Sequence, residues 1–278
     1  MYSISVLAMF KNESIIIKEW LEHYLAEGVQ HFYLIDNGTI DNTNYILSRY
    51  SQYITLIKDV KRMETGTQSF LMNTIYLQKI RKETEWVIIC DVDEYIYARN
   101  EYNQITDVLK TIPRNIEKIW IPWKCFGSNG NKTQPINVMK SFTKRQSAIS
   151  IKIEHGKVIC RSKHLIKIVS GGNMVELTDH NAYYLCDGQI FDNVKHADDI
   201  ILNDQNLHLN HYMLMSEEYY KTIKCVRGGG ETGHTTDKFT MPAFYKMDST
   251  FNEVDDNELA NKKYSVKKTP KMGASLVE

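Results

Sequence analysis

The sequence Glu85-Trp86-Val87-Ile88-Ile89-Cys90-Asp91-Val92-Asp93-Glu94 is an apolar run that stops on three acidic residues. Five consecutive apolar residues, four of them aromatic or β-branched, are typical of a strand buried on both faces and not of an amphipathic helix. Strands of this kind lie in the middle of sheets whose two faces are covered by helices. The stretch therefore predicts a central strand of an α/β fold.

The acidic end of this strand predicts a site for a divalent cation. Ligands of α/β sheets gather beyond the carboxyl ends of the strands, so Asp91 and Asp93 would stand at the mouth of a crevice. Side chains two residues apart in an extended segment point to the same side, which puts both carboxylates within reach of one hard cation. Three clustered carboxylates, Glu94 included, repel one another unless a cation lies among them. An Asp-x-Asp can also simply end a strand and open a turn, and these residues alone leave both interpretations open.

The chain before this strand alternates between predicted strands and predicted helices, a pattern that indicates a parallel sheet with right-handed crossovers. In chain order, the expected elements are a strand at 4–10, a helix at 15–27 that ends at Gly28, a strand at 31–35, a helix at 43–50, a strand at 54–58 and a helix at 68–82. No Gly-x-Gly-x-x-Gly follows the first strand, and no Gly-Lys-Ser phosphate loop is present. A dinucleotide oxidoreductase and a P-loop kinase are therefore disfavoured.

Composition narrows the functional class further. The 278 residues include 34 Lys plus Arg and 34 Asp plus Glu, so no net basic field indicates a nucleic-acid partner. The apolar start of the chain lacks a positive flank and ends at Lys11, so we expect neither a signal peptide nor a transmembrane segment. Five widely spaced cysteines predict reduced thiols. These features predict a cytoplasmic protein and are also compatible with a peripheral protein at a membrane surface. They do not bear on its oligomeric state.

Two later segments carry candidate chemistry. Between 140 and 167, eight Lys and Arg residues accompany a single Glu154, which predicts the solvated side of hairpins or, beside a metal site, a surface for a diphosphate or an acidic acceptor. A predicted strand at 207–212 places His211 at its end, and Ser216 is expected to cap the helix that follows. That helix leads to Arg227 and three glycines.

Several motifs follow one another along roughly residues 3–256. They are Lys11-Asn12-Glu13, Glu19-Trp20-Leu21, Gly28-Val29-Gln30-His31-Phe32-Tyr33, Asp36-Asn37, Asp91-Val92-Asp93-Glu94, Trp123 with Phe126-Gly127-Ser128-Asn129-Gly130, and Leu209-Asn210-His211-Tyr212 with Ser216, Glu217-Glu218-Tyr219, Lys224 and Arg227-Gly228. Their order and spacing resemble glycosyltransferase family 92 and its relatives near the family 2 enzymes. The sequence departs from the family at Met215, where lysine is usual, and at 163–168, a loose version of a Lys-x-Ile-Val-Arg-Pro stretch.

The resemblance implies an α/β fold of the GT-A type, in which a Rossmann-like, mainly parallel sheet is followed by a smaller mixed C-terminal acceptor region. We expect one domain over 1–262, with a nucleotide-sugar half at 1–98, an acceptor half at 99–262 and a disordered tail at 263–278. The implied activity is metal-dependent transfer of a hexose, galactose or glucose, from a UDP-sugar to a glycan, glycoconjugate or other hydroxyl acceptor, with inversion. The implied ion is Mn²⁺, or Mg²⁺.

The resemblance also implies roles for individual residues. Asp91, Asp93 and His211 are the expected metal ligands, with Asp93 favoured for direct coordination and Asp91 also suited to a ribose contact. The expected contacts to the uridine are Asn12, Glu13, Asp36 and Asn37, for which simple turn chemistry is the alternative. The expected contacts to the diphosphate are Lys163 and Arg227, for which surface charge is the alternative.

An inverting transfer needs a carboxylate base near the acceptor hydroxyl. Glu231, Asp187 and Asp237 are the candidates from the C-terminal half, and Glu94 is a further one close to the metal. Glu231 comes first because the glycines before it could let a loop close over the donor. Two other functions stay open: a haloacid-dehalogenase-like phosphatase, whose site also begins with Asp-x-Asp after a strand, and a protein that binds a sugar nucleotide or glycan without turnover.

Overall fold

The computed structural model describes residues 1–60, 64–150, 152, 154–178, 183–184, 190–191, 206–230 and 237–264. Its main sheet has the strand order β12-β11-β6-β8-β4-β1-β2-β3, with β13 joining β5 to β6. The strands are β1 Tyr2–Phe10, β2 His31–Asp36, β3 Ile54–Lys58, β4 Thr84–Ile89, β5 Glu94–Ala98, β6 Lys118–Cys125, β7 Lys144–Arg145, β8 Gly156–Arg161, β9 Leu165–Val169, β10 Met174–Leu177, β11 Tyr183–Tyr184, β12 Ile190–Phe191, β13 Leu207–His211 and β14 Val254–Asp255.

The N-terminal half of the sheet is parallel, as the alternation of strands and helices predicts. β1 pairs in parallel with β2 on one side and with β4 on the other, and β2 pairs in parallel with β3. Residues 86–89 of β4 are buried, in agreement with a strand covered on both faces. The carboxyl ends of β1, β2 and β4 therefore meet at one edge of the sheet.

The second half of the sheet is mixed. β8 runs antiparallel between β4 and β6, and β13 pairs antiparallel with β5 and parallel with β6. Because β8 runs opposite to β4, its first residues lie at the edge where β4 ends. The expected α/β class, a Rossmann-like parallel half followed by a mixed region of the GT-A type, is confirmed.

The helices are short, and two segments are π-helical. The helices are α1 Ile17–Ala26, α2 Thr43–Ser48, α3 Thr67–Leu71, α4 Leu77–Glu83, α5 Ile105–Thr111, α6 Val138–Ser141, α7 Glu217–Tyr219, α8 Cys225–Arg227, α9 Met241–Phe251 and α10 Glu258–Asn261, with π-helical turns at Met72–Tyr76 and Tyr220–Lys224. The single helix expected at 68–82 is therefore interrupted. Ser216 caps α7 as predicted, its hydroxyl accepting a bond from the Tyr219 amide at 3.1 Å.

The sheet is covered on both faces by apolar side chains. Val6 and Ala8 of β1 pack on the side of α1, whereas Leu7 and Met9 pack on the side of α3 and α4. Within the described residues, no helix is both long enough and apolar enough to cross a bilayer. Four of the cysteines are free thiols, and three of these are buried: Cys90, Cys125 and Cys160.

One buried histidine in α1 joins three parts of the chain. His23 Nε2 lies 2.7 Å from the Ile96 carbonyl oxygen, and its Nδ1 lies 3.0 Å from the Tyr264 hydroxyl. Burial lowers the pKa of His23 to about 3. A neutral ring that donates from Nε2 and accepts at Nδ1 satisfies both contacts. Protonation of His23 therefore opposes folding.

We expect acidification to destabilise the protein through His23. Between about pH 3 and pH 6.5 the unfolded chain binds a proton at this site and the folded chain does not, so stability is present above the window and is lost as pH falls through it. From pH 7.5 to pH 5.5 the wild type should lose about 1.4 kcal/mol more than a His23→Gln variant. Urea denaturation at the two pH values measures this difference.

The comparison with His23→Gln is needed because the neighbouring Glu27 changes the stability with pH in the opposite direction. Burial raises the pKa of Glu27 to about 6, so its contribution to stability grows as pH falls from 7.5. Both proteins contain Glu27, and the difference between them cancels its effect. Equal pH dependence in the two proteins would mean that folded His23 titrates normally.

Candidate active site

A cleft of about 290 Å³ lies where β1 and β4 end and β8 begins. Charged side chains of both signs line it. Among the described residues, the acidic ones are Glu13, Asp91, Asp93 and Glu154, and the basic ones are Lys11, Lys157, Lys224, Arg227 and Lys238. The pair of aspartates that follows β4 thus faces a pocket, as predicted, and does not only open a turn.

Asp91 is held by two side chains from different elements. The Gln68 amide Nε2 donates to its Oδ1 at 2.6 Å, and the Lys157 ammonium donates to its Oδ2 at 3.1 Å. Lys157 also donates to the carbonyl of Gly171 at 2.9 Å. Both carboxylate oxygens of Asp91 therefore have a partner from the protein.

Asp93 has a separate set of partners. Its Oδ2 pairs with the Lys224 ammonium and lies 3.7 Å from His211 Nε2. Burial raises the pKa of Asp93, but Lys224 and His211 outweigh burial and hold that pKa well below its usual range. Burial lowers the pKa of His211 against the opposing effect of Asp93, which favours the neutral imidazole. The Tyr212 amide donates to the Asp93 carbonyl at 2.9 Å, which fixes the end of β13 beside the acid pair.

Glu94 is fully buried behind the two aspartates. Its Oε2 accepts from the Asp91 amide at 2.8 Å and lies 3.6 Å from the Lys157 ammonium. Burial raises the pKa of Glu94 to about 8, although Lys157 opposes this shift. Its carbonyl accepts from Trp20 Nε1 at 3.1 Å and from the Tyr24 hydroxyl at 3.0 Å. Helix α1 thus supports the backbone that carries the site.

A second buried cluster lies on the β1 side of the cleft. Glu13 pairs with the Arg227 guanidinium through one carboxylate oxygen and accepts from the Tyr219 hydroxyl through the other. Arg227 also donates to the carbonyl of Lys11 at 2.9 Å. Burial raises the pKa of Glu13, and Arg227 and Lys224 oppose that shift. Glu13 therefore positions Arg227, which lines the cleft.

One wall of the cleft is aromatic. The Trp123 indole lies 4.6 Å from the His211 ring and stacks on His155 at 5.8 Å, centroid to centroid. Trp123, His211 and Phe239 line the cleft. Such rings provide a flat apolar face of the kind against which a sugar ring packs.

Three of the four residues expected at the uridine make hydrogen bonds within the loops at this edge of the sheet. Asn12 Oδ1 accepts from the Ile40 amide at 2.9 Å, and Asp36 accepts from the Thr39 amide at 2.7 Å and from the Asn44 amide group at 2.8 Å. Asn37 donates to the Asp59 carbonyl at 2.9 Å and also lines the cleft. Glu13 and Asn37 thus face the pocket, whereas the hydrogen bonds of Asn12 and Asp36 shape the turn beside it.

The remaining candidates are not brought together at the cleft. Lys163 is exposed and follows β8, whose last residue, Arg161, pairs with Trp86 near the start of β4, so Lys163 lies at the opposite edge of the sheet from Asp91. Asp237 is exposed, while its neighbours Lys238 and Phe239 line the cleft. Asp187 and Glu231 lie outside the described residues.

Three cleft residues carry no role in the sequence analysis. Lys157 stands within the basic segment at 140–167, for which the sequence leaves open the solvated side of hairpins or a surface for a diphosphate or an acidic acceptor, and it is 1% exposed. Lys224 is named there only as part of a motif, and Gln68 only as the start of a helix. An isolated lysine in a strand that is otherwise apolar, Val158-Ile159-Cys160, is the one local sign that Lys157 is buried.

The side chains of the cleft provide some, but not all, of the ligands that a divalent ion needs. A carboxylate and an imidazole, from Asp93 and His211, face one pocket, and mixed oxygen and nitrogen ligands suit Mn²⁺. Asp91 is already held by Gln68 and Lys157. In the described parts of the chain, no three His, Cys, Asp or Glu side chains are arranged to hold a metal by themselves. A site that fits here has Asp93 and His211 as its protein ligands and takes further oxygens from a bound ligand.

Comparison with known proteins gives weak likenesses to individual proteins. A rice protein (Oryza sativa subsp. japonica) described as a glycosyltransferase family 92 protein is 25% identical over 141 residues, which are 48% of this chain and 23% of the rice protein. The chain thus spans about a quarter of the length of that relative. The structure of Staphylococcus aureus TarS 1–349 with UDP is 20% identical, with a TM-score of 0.38, over 58% of this chain and 47% of TarS 1–349.

A third likeness is to glucosyl-3-phosphoglycerate synthase from Mycobacterium tuberculosis, solved with Mn²⁺, UDP and glucosyl-3-phosphoglycerate. It is 11% identical, with a TM-score of 0.32, over 59% of this chain and 58% of the synthase. The sequence model of glycosyltransferase family 92 matches residues 1–212, a stretch that includes β1 to β13, both aspartates and His211. The chain therefore belongs to glycosyltransferase family 92.

Proposed function

We propose that this protein transfers a hexose, galactose or glucose, from a UDP-sugar to a hydroxyl group of a glycan or glycoconjugate, with a divalent ion and with inversion. The observation that carries the proposal is the pairing of two aspartates with several cationic side chains in one cleft at the carboxyl edge of a parallel sheet. Nucleotides bind at this edge in α/β folds.

The charge pattern of the cleft supports a diphosphate ligand. Lys224 and Arg227 lie on the same helical segment and line the cleft, and both are buried enough that water screens them weakly. Each is held by a carboxylate of the protein, Asp93 or Glu13, that fixes its position. Cations held in this way stabilise negative charge that develops on a leaving nucleoside diphosphate without a cost in reorganisation.

Asp93 and His211 are the residues that would hold a divalent ion, Mn²⁺ or Mg²⁺. Such an ion would neutralise charge on the diphosphate. Because only two protein ligands converge, we expect the ion to bind weakly alone and more tightly together with UDP. Trp123 offers a packing face for a sugar ring. For the catalytic base that accepts the proton of the acceptor hydroxyl, we propose Glu231, Asp187 or Asp237. Of these three residues, Asp237 adjoins the cleft residue Lys238.

A thermal-shift panel tests the proposal. UDP, GDP, CDP, UDP-galactose and UDP-glucose are each added with Mn²⁺ and with chelator, because a ligand that binds only the folded protein raises its melting temperature. We expect UDP compounds at about 100 times Kd to raise Tm by about 5 °C or more with Mn²⁺, and far less with chelator.

Three outcomes would contradict the proposal or a part of it. No shift with any nucleotide, with or without metal, would overturn the transferase proposal. Equal shifts with UDP, GDP and CDP would overturn the proposal that the site recognises the uracil base. A shift with UDP that chelator leaves unchanged would overturn the role of the ion and leave Lys224 and Arg227 as the groups that bind the diphosphate.

A further inference from the structure

The contacts of Asp91 set it apart from Asp93, although the two lie one residue apart. Each oxygen of the Asp91 carboxylate receives one hydrogen bond, from Gln68 and from Lys157, and the side chain remains 36% exposed toward the cleft. A carboxylate oxygen accepts two hydrogen bonds. Within the part of the chain that the structure describes, one acceptor position on each oxygen is therefore left for a ligand.

Lys157 holds its side of Asp91 rigidly. It stands in β8, between β4 and β6, and its ammonium also donates to the Gly171 carbonyl at 2.9 Å. The Gly171 amide in turn donates to the Ser69 hydroxyl at 2.9 Å, so this turn is fixed from both sides. A Cβ on Gly172 would lie 2.2 Å from Ile89 Cγ2, which shows how closely the turn is seated on the end of β4.

Gln68 holds the other side of Asp91. Gln68 is 4% exposed and its backbone amide donates to the Gly230 carbonyl at 2.9 Å. A Cβ on Gly171 would lie 3.0 Å from Gln68 Oε1, and a Cβ on Gly230 would lie 2.8 Å from the same atom. Two glycine turns therefore close around the Gln68 side chain and leave it little freedom to move away from Asp91.

The charges around the two aspartates point to different ligand groups. Asp93 lies with Lys224 and His211, in the part of the cleft suited to a diphosphate. The Lys157 ammonium lies 3.1 Å from Asp91 Oδ2 and balances the charge of this carboxylate without an added ion. A carboxylate with both oxygens fixed in direction and one acceptor position on each suits a vicinal diol, whose two hydroxyls donate side by side.

We propose that Gln68 and Lys157 are positioning residues that fix Asp91 as the acceptor for a vicinal diol of the donor. This rests on the proposed function. A UDP-hexose carries such a diol in two places, the ribose and the hexose. The two sources share this chemistry, and binding measurements with matched ligands separate them.

The experiment compares dissociation constants by calorimetry in Mn²⁺ for UDP, 2′-deoxy-UDP, UDP-galactose and UDP-glucose. The variants are Lys157→Met and Gln68→Leu, which remove the hydrogen bond to Asp91 but keep most of the side-chain volume. The control is Lys110→Met, which changes an exposed lysine of α5. If the ribose binds Asp91, the wild type should prefer UDP over 2′-deoxy-UDP by about tenfold. In both variants this preference should fall to within about twofold, while Lys110→Met keeps it.

If instead the hexose diol binds Asp91, the wild type prefers a UDP-hexose over UDP, and the variants lose that preference. Loss of either preference in both variants supports the proposal. Variants that bind every ligand more weakly but keep both preferences would overturn it, since a structural role or a direct contact of Lys157 with phosphate lowers all affinities alike. A wild type that shows neither preference would also overturn it.

Failure of the proposed function looks different. A wild type that binds none of the four ligands would overturn that function and this inference together. Lys157→Met removes a buried cation and is checked for folding by circular dichroism. Should it fail to fold, the uncharged exchange Gln68→Leu decides the outcome alone.

Discussion

Replacement of Asp93 by asparagine is expected to lower the transfer rate by on the order of a thousandfold, the scale seen when one electrostatic group of an active site is removed. Asp93 is 5% exposed, and its Oδ2 pairs with Lys224 and lies 3.7 Å from His211 Nε2. The neutral amide keeps one acceptor oxygen but carries no charge to balance the Lys224 ammonium, and it is a weaker ligand for a divalent ion than a carboxylate. Initial rates with UDP-galactose and UDP-glucose, and the Kd of UDP in Mn²⁺, measure the two consequences.

Asp93→Asn also leaves the buried Lys224 without its partner, which costs about 3–5 kcal/mol of stability when such a pair is broken. A matched control separates this from the loss of activity. Asp256 forms a comparable buried pair with Lys124, at 2.9 Å and 8% side-chain exposure, outside the cleft. Asp256→Asn should lower stability by a similar amount and leave UDP affinity within about twofold of the wild type.

Equal loss of UDP affinity in Asp93→Asn and Asp256→Asn would show that the effect comes from unfolding and not from the cleft. Retention of UDP affinity in Asp93→Asn, with the protein folded, would remove Asp93 from the donor site.

The sequence predicts the parallel half of this fold because its signals there are local. The strand at 84–89 is recognised by its own apolar run, and helix α1 by the spacing of residues such as Trp20 and Leu21. The start of α1 differs slightly: the helix begins at Ile17 and not at Ile15, and the turn before it is held by the Ser14 amide, which donates to Asp41 at 3.0 Å.

The cleft is less predictable because its partners are distant in sequence. Lys157 is 66 residues from Asp91, and Lys224 is 131 residues from Asp93. Within the basic segment, the apolar run that follows Lys157 is the one local sign of a buried lysine, and it does not indicate which carboxylate that lysine meets. The π-helical turn Tyr220–Lys224 adds a residue to one helical turn, so the face on which Lys224 lies does not follow from a period of 3.6.

In the turn after β2, by contrast, the hydrogen bonds join residues that are close in sequence. Asp36 follows β2 at the edge where ligands bind, and this position is what suggests a contact to uridine. Its carboxylate accepts from Thr39 and Asn44, within eight residues, and its contact to uridine stays a prediction. Short polar side chains bond readily to nearby backbone amides, and a position at the end of a strand does not distinguish that role from ligand binding.

Trp20→Ala is expected to lower the free energy of unfolding by about 3–5 kcal/mol, the usual cost of removing a buried tryptophan. Trp20 is fully buried, packs on Tyr24 and Phe32 at centroid distances of 5.1 and 5.6 Å, and donates to the Glu94 carbonyl at 3.1 Å. Urea denaturation measures the change, which should appear as a lower midpoint at an unchanged slope.

Other substitutions test how the scaffold supports the site, because Trp20 bonds the residue that follows the acid pair. Trp20→Phe keeps a six-membered ring but removes the pyrrole part of the indole with its N–H, and the Tyr24 hydroxyl still donates to Glu94 at 3.0 Å, so this variant should lose less stability than Trp20→Ala. If the carbonyl contact positions the cleft, a Trp20→Phe/Tyr24→Phe double variant should weaken UDP binding more than the two single variants predict together. Strict additivity in UDP affinity would mean that α1 stabilises the fold without positioning Asp91 and Asp93.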